Sequence, residues 1–245
     1  MANYILDIVK SQQLTYEQKV NARAHAAEDT LSVIPKTAAA QKYFATGAIC
    51  NLFEGEAPYR PRYIMPDYDK AVKNGVNFLE LAPPTDLDEL INFLEILYRH
   101  VPSITTYPVF LGDIDRLIEP FIEGLPDDVV EKKIRLFFRY LDRTITDSFS
   151  HANIGPRETR AGRLILKVER EIQQTVPNLT LKYDTAMPSD EFDKEAILTS
   201  LSCANPGICN DVLNGATYDS YGISSCYNIL PICGGSYTLS RVVLP

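Results

Sequence analysis

The sequence predicts an α/β fold preceded by a helical region, and three observations indicate this. Of the 245 residues, 45% are hydrophobic, which is enough to bury a sizeable core. After residue 66, amphipathic helical patterns alternate with short β-rich runs, an order typical of a parallel sheet with helical connections. Prolines at 58, 61 and 66 interrupt the chain and predict a boundary between a helical region, residues 1–60, and an α/β part, residues 61–245.

The helical region is predicted from a capping signal followed by a periodic apolar pattern. Thr15 and Gln18 have the spacing of a capping box, in which each side chain bonds the other residue's backbone N–H. Apolar residues then recur at helical spacing, at Val20, Ala24, Ala27 and Leu31. Pro35 predicts the end of this stretch.

After the boundary, four helices and four strands are predicted. The helices are residues 67–81, 86–100, 127–149 and 157–175. In the second, apolar residues share one face after a predicted cap at Thr85. The strands are residues 104–111, 179–183, 222–229 and 237–244. A parallel strand is normally followed by a covering helix, so a run that stops at Pro245 leads us to expect an unfinished α/β unit.

Composition excludes several classes of function. A net charge of −8 repels phosphate backbones, which argues against nucleic acid as a ligand. The N-terminus lacks the features of a signal peptide, and no apolar run approaches the roughly 20 residues of a membrane span. We therefore expect a cytoplasmic protein without membrane contact, whose five cysteines are thiols. Four of these lie in the last fifth of the chain, at Cys203, Cys209, Cys226 and Cys233.

The segment 205–235 is the strongest candidate for chemistry. It is rich in Gly, Asn, Asp and Cys around a β-like core, YGISSCYNIL. Sharp backbone turns around an otherwise buried cysteine are typical of loops that hold reactive thiols, although an isolated buried cysteine is usually only a small hydrophobic residue. Here the cysteine belongs to an ordered set: Pro206, Asn210-Asp211, Asp219, Tyr221-Gly222 and Cys226.

This ordered set resembles the segment that leads to the catalytic cysteine of glycyl radical enzymes. Upstream runs, among them RPRYIMPDY, VPSITTYPVFLG, ITDSFSHANIGPRETRAGRLILKVE and VPNLTLKYD, together with SCYNILPICGGSYTL, resemble the YjjI-type branch, over roughly residues 40–245. The resemblance implies the first half of a ten-stranded α/β barrel of the pyruvate formate-lyase type. It also implies that Cys226 becomes a thiyl radical that takes hydrogen from a small-molecule substrate inside a sealed cavity.

Five residues are candidates for substrate binding: Tyr227, Asn228, Asn210, Asp211 and His151. Asn210 and Asp211 have an equally good reading as turn residues with purely local backbone bonds. His151 lies within a polar string, residues 148–153, that could end a barrel strand and face the cavity, although such a histidine more often lies on a surface loop or caps a helix.

The sequence departs from two better-known branches of the family. Pyruvate formate-lyases resemble one another in having two adjacent cysteines, where this chain has Ser225-Cys226, which argues against acyl transfer. The dehydratases have a glutamate base two residues after the cysteine, where this chain has Asn228. Asparagine cannot take a proton, which argues against that dehydration mechanism.

The glycyl radical loop, which in the family resembles R-V-[AS]-G-[YF], has no match here, and the nearest string, residues 240–243, lacks the glycine. We therefore expect no cofactor or metal bound by this segment. The resemblance implies a radical on a missing C-terminal half or a complementing chain, installed by a radical-SAM activating enzyme in anaerobic metabolism. Alone, the chain is expected to be inactive.

Other interpretations of the same residues stay open. The chain could be a non-catalytic binding protein that keeps the half-barrel, or a thiol redox protein using Cys226 and Cys233. A zinc site is disfavoured, because the cysteine spacing lacks a C-x2-C pair. Arg157, Arg160 and Arg163 could bind an anion near a helix N-terminus, although a solvated stripe balanced by Glu158 and Glu169 is the simpler interpretation.

Overall fold

The N-terminal part of the computed structural model is helical, with a short strand pair. Described by the structure are residues 2–29, 37–46, 49–50, 63–101, 109–144, 150–224, 227, 229–233, 235–236 and 241–242. Contacts group the chain into two compact units, residues 1–61 with 237–245, and residues 62–236. The predicted domain boundary stays a prediction, since contacts do not show which segment folds alone.

The smaller unit contains three helices and one antiparallel strand pair. The helices are α1 (Ala2–Lys10), α2 (Tyr16–Asp29) and α3 (Ala38–Ala45), and strand β1 (Ile49–Cys50) pairs with residues Arg241–Val242. The predicted capping box is confirmed: the Thr15 N–H donates to Gln18 Oε1 at 3.0 Å, and the Gln18 N–H donates to Thr15 Oγ1 at 3.3 Å. These reciprocal bonds satisfy two backbone donors at the start of α2.

The larger unit is built on a parallel sheet with helical crossovers. Its helices are α4 (Tyr68–Asn74), α5 (Leu87–His100), α6 (Ile114–Ile118), α7 (Asp127–Thr144), α8 (Arg160–Ile172), α9 (Asp190–Cys203) and α10 (Asp211–Gly215). Its strands are β2 (Tyr63–Ile64), β3 (Val109–Asp113), β4 (Ser150–Ile154), β5 (Asn178–Tyr183), β6 (Gly207–Asn210), β7 (Tyr221–Ile223), β8 (Ile229–Pro231) and β9 (Gly235–Ser236). Residues Arg241–Val242 form β10.

Strands β3, β4, β5 and β6 lie side by side in chain order, and all three pairs are parallel. Helices α7, α8 and α9 connect them, which confirms the predicted α/β class. The helices pack on one face of the sheet, which we call the outer face. There, Ala152, Ile154, Leu179 and Leu181 belong to the same buried core as residues from α5 to α9.

Several predicted elements have different bounds. The helix predicted at 67–81 ends at Asn74, because Gly75 has a φ of 73° and leaves the helical conformation. The cap of α5 is Asp86 instead of Thr85, since the Asp86 carboxylate accepts the Glu89 N–H at 2.8 Å. The helix predicted at 157–175 begins later, at Arg160, after the cap Thr159.

The strand predicted at 222–229 is wrong, because this segment turns back on itself. It forms two antiparallel strands, β7 and β8, in which Tyr221 pairs with Pro231 and Ile223 with Ile229. Tyr227 between them has a φ of 54°, a left-handed conformation that a continuous strand does not contain. We call residues 221–231 the cysteine hairpin, because Cys226 lies within this part of the sequence. Much of the strand predicted at 237–244 lies outside the described residues.

Candidate functional site

The face of the sheet opposite the helices, here called the inner face, carries polar side chains. Alternate residues of a strand point to opposite faces, so the neighbours of the outer-face residues of β4 and β5 point inward. These inner-face residues are 5% exposed or less: His151, Asn153, Thr180 and Lys182. Strands of a parallel sheet are normally apolar on both faces, so four buried polar residues indicate a specialised surface.

The cysteine hairpin packs on this inner face. Strand β7 contacts both β3 and β4, and a small second core forms there from Met65 and Phe110 with Leu230 and Ile232. Phe110 is fully buried, and its ring lies directly against Gly222. A Cβ atom at position 222 would lie 2.4 Å from Phe110 Cζ, so this approach requires glycine.

Asn153 bonds the hairpin backbone through both ends of its carboxamide. Its Nδ2 donates to the Ile223 carbonyl at 2.9 Å, and its Oδ1 accepts the Ile223 N–H at 2.9 Å. Both residues have no exposed surface. Because a buried, unpaired peptide group costs about 1–3 kcal/mol, this two-point contact fixes β7 on the sheet.

Lys182 makes a second contact with the same strand. Its ammonium donates to the Tyr221 carbonyl at 2.9 Å and to Asp113 Oδ1 at 2.7 Å. It also lies 4.6 Å from the centroid of the Tyr221 ring, within cation–π range. Lys182 is 5% exposed, so its charge is balanced by Asp113 where water is largely excluded.

The predicted substrate ligands Asn210 and Asp211 lie at the base of the hairpin. The Tyr221 hydroxyl donates to the Asp211 carboxylate, and burial, followed by this bond, raises the pKa of Tyr221 above its ordinary value. Asn210 accepts the Leu213 N–H at 3.1 Å and caps α10. This is a local backbone role, one of the two interpretations that the sequence left open for Asn210. Contact of either residue with substrate stays a prediction.

Cys226 and Asn228 lie outside the described residues, and their proposed roles stay predictions. Ser224 and Tyr227 are the described residues on the two sides of Cys226, and the Tyr227 N–H donates to the Ser224 carbonyl at 2.8 Å. Tyr227 is 53% exposed, and a Cβ atom at Gly207 in β6 would lie 2.9 Å from its hydroxyl. Gly207 therefore leaves room for the Tyr227 side chain.

His151 is the second residue of β4, so it lies near the start of a strand, where the sequence had suggested an end. It is 3% exposed and shares the inner face with Asn153. The histidine is therefore neither on a surface loop nor at a helix cap. Its contact with a substrate stays a prediction.

Two of the three arginines near the start of α8, Arg160 and Arg163, are engaged in structural bonds. Arg160 donates to the carbonyls of Ile122 at 2.8 Å and Leu125 at 2.6 Å, and it pairs with Asp127. Arg163 pairs with Glu158, as the solvated interpretation expects. Glu169 is not part of that stripe, because its side chain is fully buried.

Cys203, Cys209 and Cys233 are free thiols, and Cys233 is exposed. The described part of the chain contains no group of three or more His, Cys, Asp or Glu side chains arranged to hold a metal. Among the same residues, no helix is long and apolar enough to cross a membrane.

Asn153 and Lys182 were not predicted as site residues. For Lys182 a signal existed: in the run NLTLKY, Thr180 and Lys182 alternate with Leu179 and Leu181, which places two polar residues on one face of a strand. For Asn153 the signal was shorter, an alternation of His151 and Asn153 with Ala152 and Ile154, and its partner Ile223 is 70 residues away.

The fold of this chain is similar to that of solved anaerobic ribonucleotide reductases. An anaerobic ribonucleotide reductase superimposes with a TM-score of 0.58 and 12% identity, covering 76% of this chain and 38% of that protein. The anaerobic ribonucleotide reductase from Thermotoga maritima, solved with dATP and CTP, gives a TM-score of 0.61 at 14% identity, covering 86% of this chain and 45% of that one. At such identities the likeness shows a shared α/β fold.

Sequence comparison identifies the family within that fold. The profile of the family "Glycyl radical enzyme YjjI-like" matches residues 14–245. An uncharacterized protein of Haemophilus influenzae is 46% identical over 244 residues, 98% of this chain and 47% of that protein. The protein YjjI of Escherichia coli K12 is 43% identical over 239 residues, 97% of this chain and 46% of its own length. The chain belongs to the YjjI-like family of glycyl radical enzymes, and it spans about half the length of these relatives.

Proposed function

We propose that this chain is the thiol-bearing half of a glycyl radical enzyme, and that Cys226 is its hydrogen-atom carrier. The observation that carries the proposal is the attachment of β7, three residues before Cys226, to the inner face of the sheet by Asn153 and Lys182. Membership of the YjjI-like family supports it. A reactive radical needs a site that excludes water, and the buried inner face provides such surroundings.

In this proposal Cys226 carries hydrogen atoms between the glycine, the substrate and the product radical. The glycyl radical, expected outside this chain and installed by a radical-SAM activating enzyme, supplies the unpaired electron. Cys226 gives up the hydrogen of its Sγ–H bond, and the resulting sulfur radical takes a hydrogen from a substrate C–H bond. The restored S–H then returns a hydrogen to the product radical, and the sulfur radical that remains takes back the hydrogen that the glycine received. The thiol and the glycyl radical are both regenerated over a cycle. Because S–H and C–H bonds are similar in strength, alignment of sulfur and substrate decides the rate.

The substrate in this proposal is a small molecule that lies beside the turn of the cysteine hairpin. His151 is already buried on that face, and Tyr227 extends from the hairpin. Histidine and tyrosine both donate and accept hydrogen bonds, which suits a substrate with hydroxyl or carbonyl groups. Asn210, Asp211 and Asn228 remain proposed contacts of the substrate.

We further propose that the parallel sheet is part of a ten-stranded barrel completed by a second half. Helices α5 to α9 contribute to the outer face, as in a barrel wall, and in the described part of the chain β6 pairs only with β5. The share of the relatives that this chain covers, 47% and 46%, leaves room for a second half of similar length.

The test is electron paramagnetic resonance on the intact protein, coexpressed anaerobically with its activating enzyme. A glycine-centred doublet is expected, because the unpaired electron couples to the remaining Cα hydrogen. In D2O the thiol carries deuterium, and its transfer to the glycine replaces that hydrogen, so the doublet collapses to a narrower signal. We expect Cys226→Ser to keep the doublet in D2O and the matched Cys233→Ser to lose it as the parent does.

Collapse of the doublet at the parent rate in Cys226→Ser would show that another group carries the hydrogen. Absence of any glycine-centred signal in the activated parent protein would contradict the radical itself. That second result would favour the non-catalytic interpretation of the chain.

A further inference from the structure

Strand β7 lies on the inner face of the sheet. The strand has two backbone edges, and each edge is hydrogen-bonded to a different partner. In an antiparallel pair, alternate residues direct their backbone groups to opposite edges. Gly222 is paired in register with Leu230 of β8, and the Ser220 carbonyl accepts the Ile232 N–H at 3.1 Å on that same edge. Tyr221 and Ile223 therefore direct their peptide groups the other way.

That other edge is bonded by side chains of the sheet. Lys182 binds the Tyr221 carbonyl at 2.9 Å, and Asn153 binds both the N–H and the carbonyl of Ile223 at 2.9 Å. A carboxamide contains both a donor and an acceptor, as a peptide group does, so Asn153 takes the place of a residue of a neighbouring strand. Lysine has donors only and bonds only the carbonyl.

These contacts hold the chain close to the reactive position. Ile223 is three residues before Cys226, a length that spans at most about 10 Å when extended. On the other side, the 2.8 Å bond between the Tyr227 N–H and the Ser224 carbonyl leaves two residues between the bonded positions. Ile223 and Tyr227 are therefore bonded positions within three residues of Cys226.

We propose that Asn153 is a positioning residue that sets the location of the Cys226 thiol by holding Ile223, with Lys182 as the second point of attachment. This inference rests on the proposed function of Cys226 and adds Asn153 as the residue that positions its sulfur. Aspartate at position 153 would keep the acceptor for the Ile223 N–H but place a carboxylate oxygen against the Ile223 carbonyl. The carboxamide is thus the specific requirement at this position.

The experiment measures alkylation of individual thiols in the full chain, with iodoacetamide as the probe and mass spectrometry of the cysteine peptides as the readout. In the parent we expect Cys226 to react much more slowly than the exposed Cys233. In Asn153→Ala and Asn153→Asp, Cys226 is expected to react roughly tenfold faster or more. Alanine removes the partners of both the Ile223 N–H and the Ile223 carbonyl, and aspartate removes the donor to the carbonyl. Cys203, on α9, is expected to keep its parent rate.

The matched control is Asn205→Ala. Asn205 is also a buried asparagine, 5% exposed, but its side chain bonds Leu179, Pro177 and Glu169 instead of the cysteine hairpin. Its loss is expected to raise the reactivity of the nearby Cys203 and to leave Cys226 at the parent rate. The opposite patterns in Asn153→Ala and Asn205→Ala distinguish a positioning role of Asn153 from a general loss of stability.

Equal acceleration of Cys203 and Cys226 in Asn153→Ala, or no acceleration of Cys226, would overturn the inference. So would a parent Cys226 that reacts as fast as Cys233. These outcomes are independent of the proposed radical, since alkylation needs none. In the activated intact protein, Asn153→Ala is expected to keep the glycine doublet while its collapse in D2O slows roughly tenfold or more.

Discussion

At the scale of single residues, the contact between Gly222 and Phe110 sets how closely the cysteine hairpin approaches the sheet. Three ring atoms of Phe110 lie within 2.8 Å of the place where a Cβ atom on Gly222 would stand. Phe110 has no exposed surface, so its ring cannot swing into solvent. The hairpin must move outward if this glycine is replaced, and the bonds from Asn153 would lengthen with it.

We expect Gly222→Ala to lower the free energy of unfolding by about 1–3 kcal/mol, the usual cost of overpacking a buried site. Urea denaturation measures this. Gly215→Ala is the matched control, because a Cβ atom there meets nothing within 4 Å, and its effect is expected to stay within about 1 kcal/mol.

Phe110→Leu provides the internal check on this steric explanation. In the Gly222→Ala background it removes the clashing ring, so the double variant should lose less stability than the two single variants added together. Strict additivity of the two costs would show that the alanine acts elsewhere.

At the scale of elements, a buried carboxyl joins α8 to the segment before β6. Glu169 accepts a bond from Asn205 Nδ2 at 2.7 Å, and Asn205 in turn accepts the Leu179 N–H at 2.8 Å where β5 begins. Among the described residues the second carboxyl oxygen of Glu169 has no bonding partner. Burial raises the pKa of Glu169 to about 7, so the neutral form is favoured in the fold.

This raised pKa predicts a stability that falls as pH rises. Between the unfolded pKa near 4.5 and the folded pKa of about 7, the folded state binds more protons than the unfolded state, so this contribution declines with pH. Glu169→Gln mimics the protonated form and should raise stability at pH 8 by about 3 kcal/mol, with little change at pH 5.

Urea denaturation of Glu169→Gln and its parent at the two pH values measures the effect. Burial raises the pKa of Asp115 to about 6, which acts in the same direction, so only the difference between variant and parent isolates Glu169. Glu123→Gln, at an exposed position, is the control and should show no such difference. An equal gain at both pH values would contradict the assignment.

At the scale of the whole molecule, large apolar side chains are exposed on the elements at the β6 end of the sheet. We call this set the apolar edge, and its members are 43–80% exposed: Ile197, Leu198, Leu201, Ile208, Val212 and Leu213. Helix α9 buries Phe192 and Ala196 in the core, so its exposed leucines belong to a second apolar side. Exposed apolar surface of this kind favours association.

We expect the isolated chain to self-associate through the apolar edge. The double variant Leu201→Lys with Leu213→Lys should weaken that association by roughly tenfold or more, because each buried leucine contributes about 1.5–3 kcal/mol. Sedimentation or size-exclusion chromatography across a concentration series measures it. Phe78→Lys, at a residue 91% exposed elsewhere in the same unit, is the control and should leave association unchanged. A monomeric parent chain would contradict this prediction.

The sequence determined the elements whose signals are local. The capping box of Thr15 and Gln18, the apolar face of α5 and the alternating run of β5 each depend on residues within a few positions, so pattern and structure agree. Family membership was also readable, since it depends on the order of motifs along the chain. Strand β4 was missed because its alternation of His151 and Asn153 with Ala152 and Ile154 spans only four residues, directly after a long predicted helix.

The tertiary structure alone decided how the cysteine segment is held. The turn between β7 and β8 replaced a predicted continuous strand, and the residues that fix β7, Asn153 and Lys182, lie far from it in sequence. These hydrogen bonds join residues that are 39 and 70 positions apart, so neither composition nor the spacing of residues predicts them. They form only when the folded parallel sheet places its inner face against the hairpin. The peptide groups of β7 are buried there, so side chains of the sheet must supply their hydrogen-bond partners.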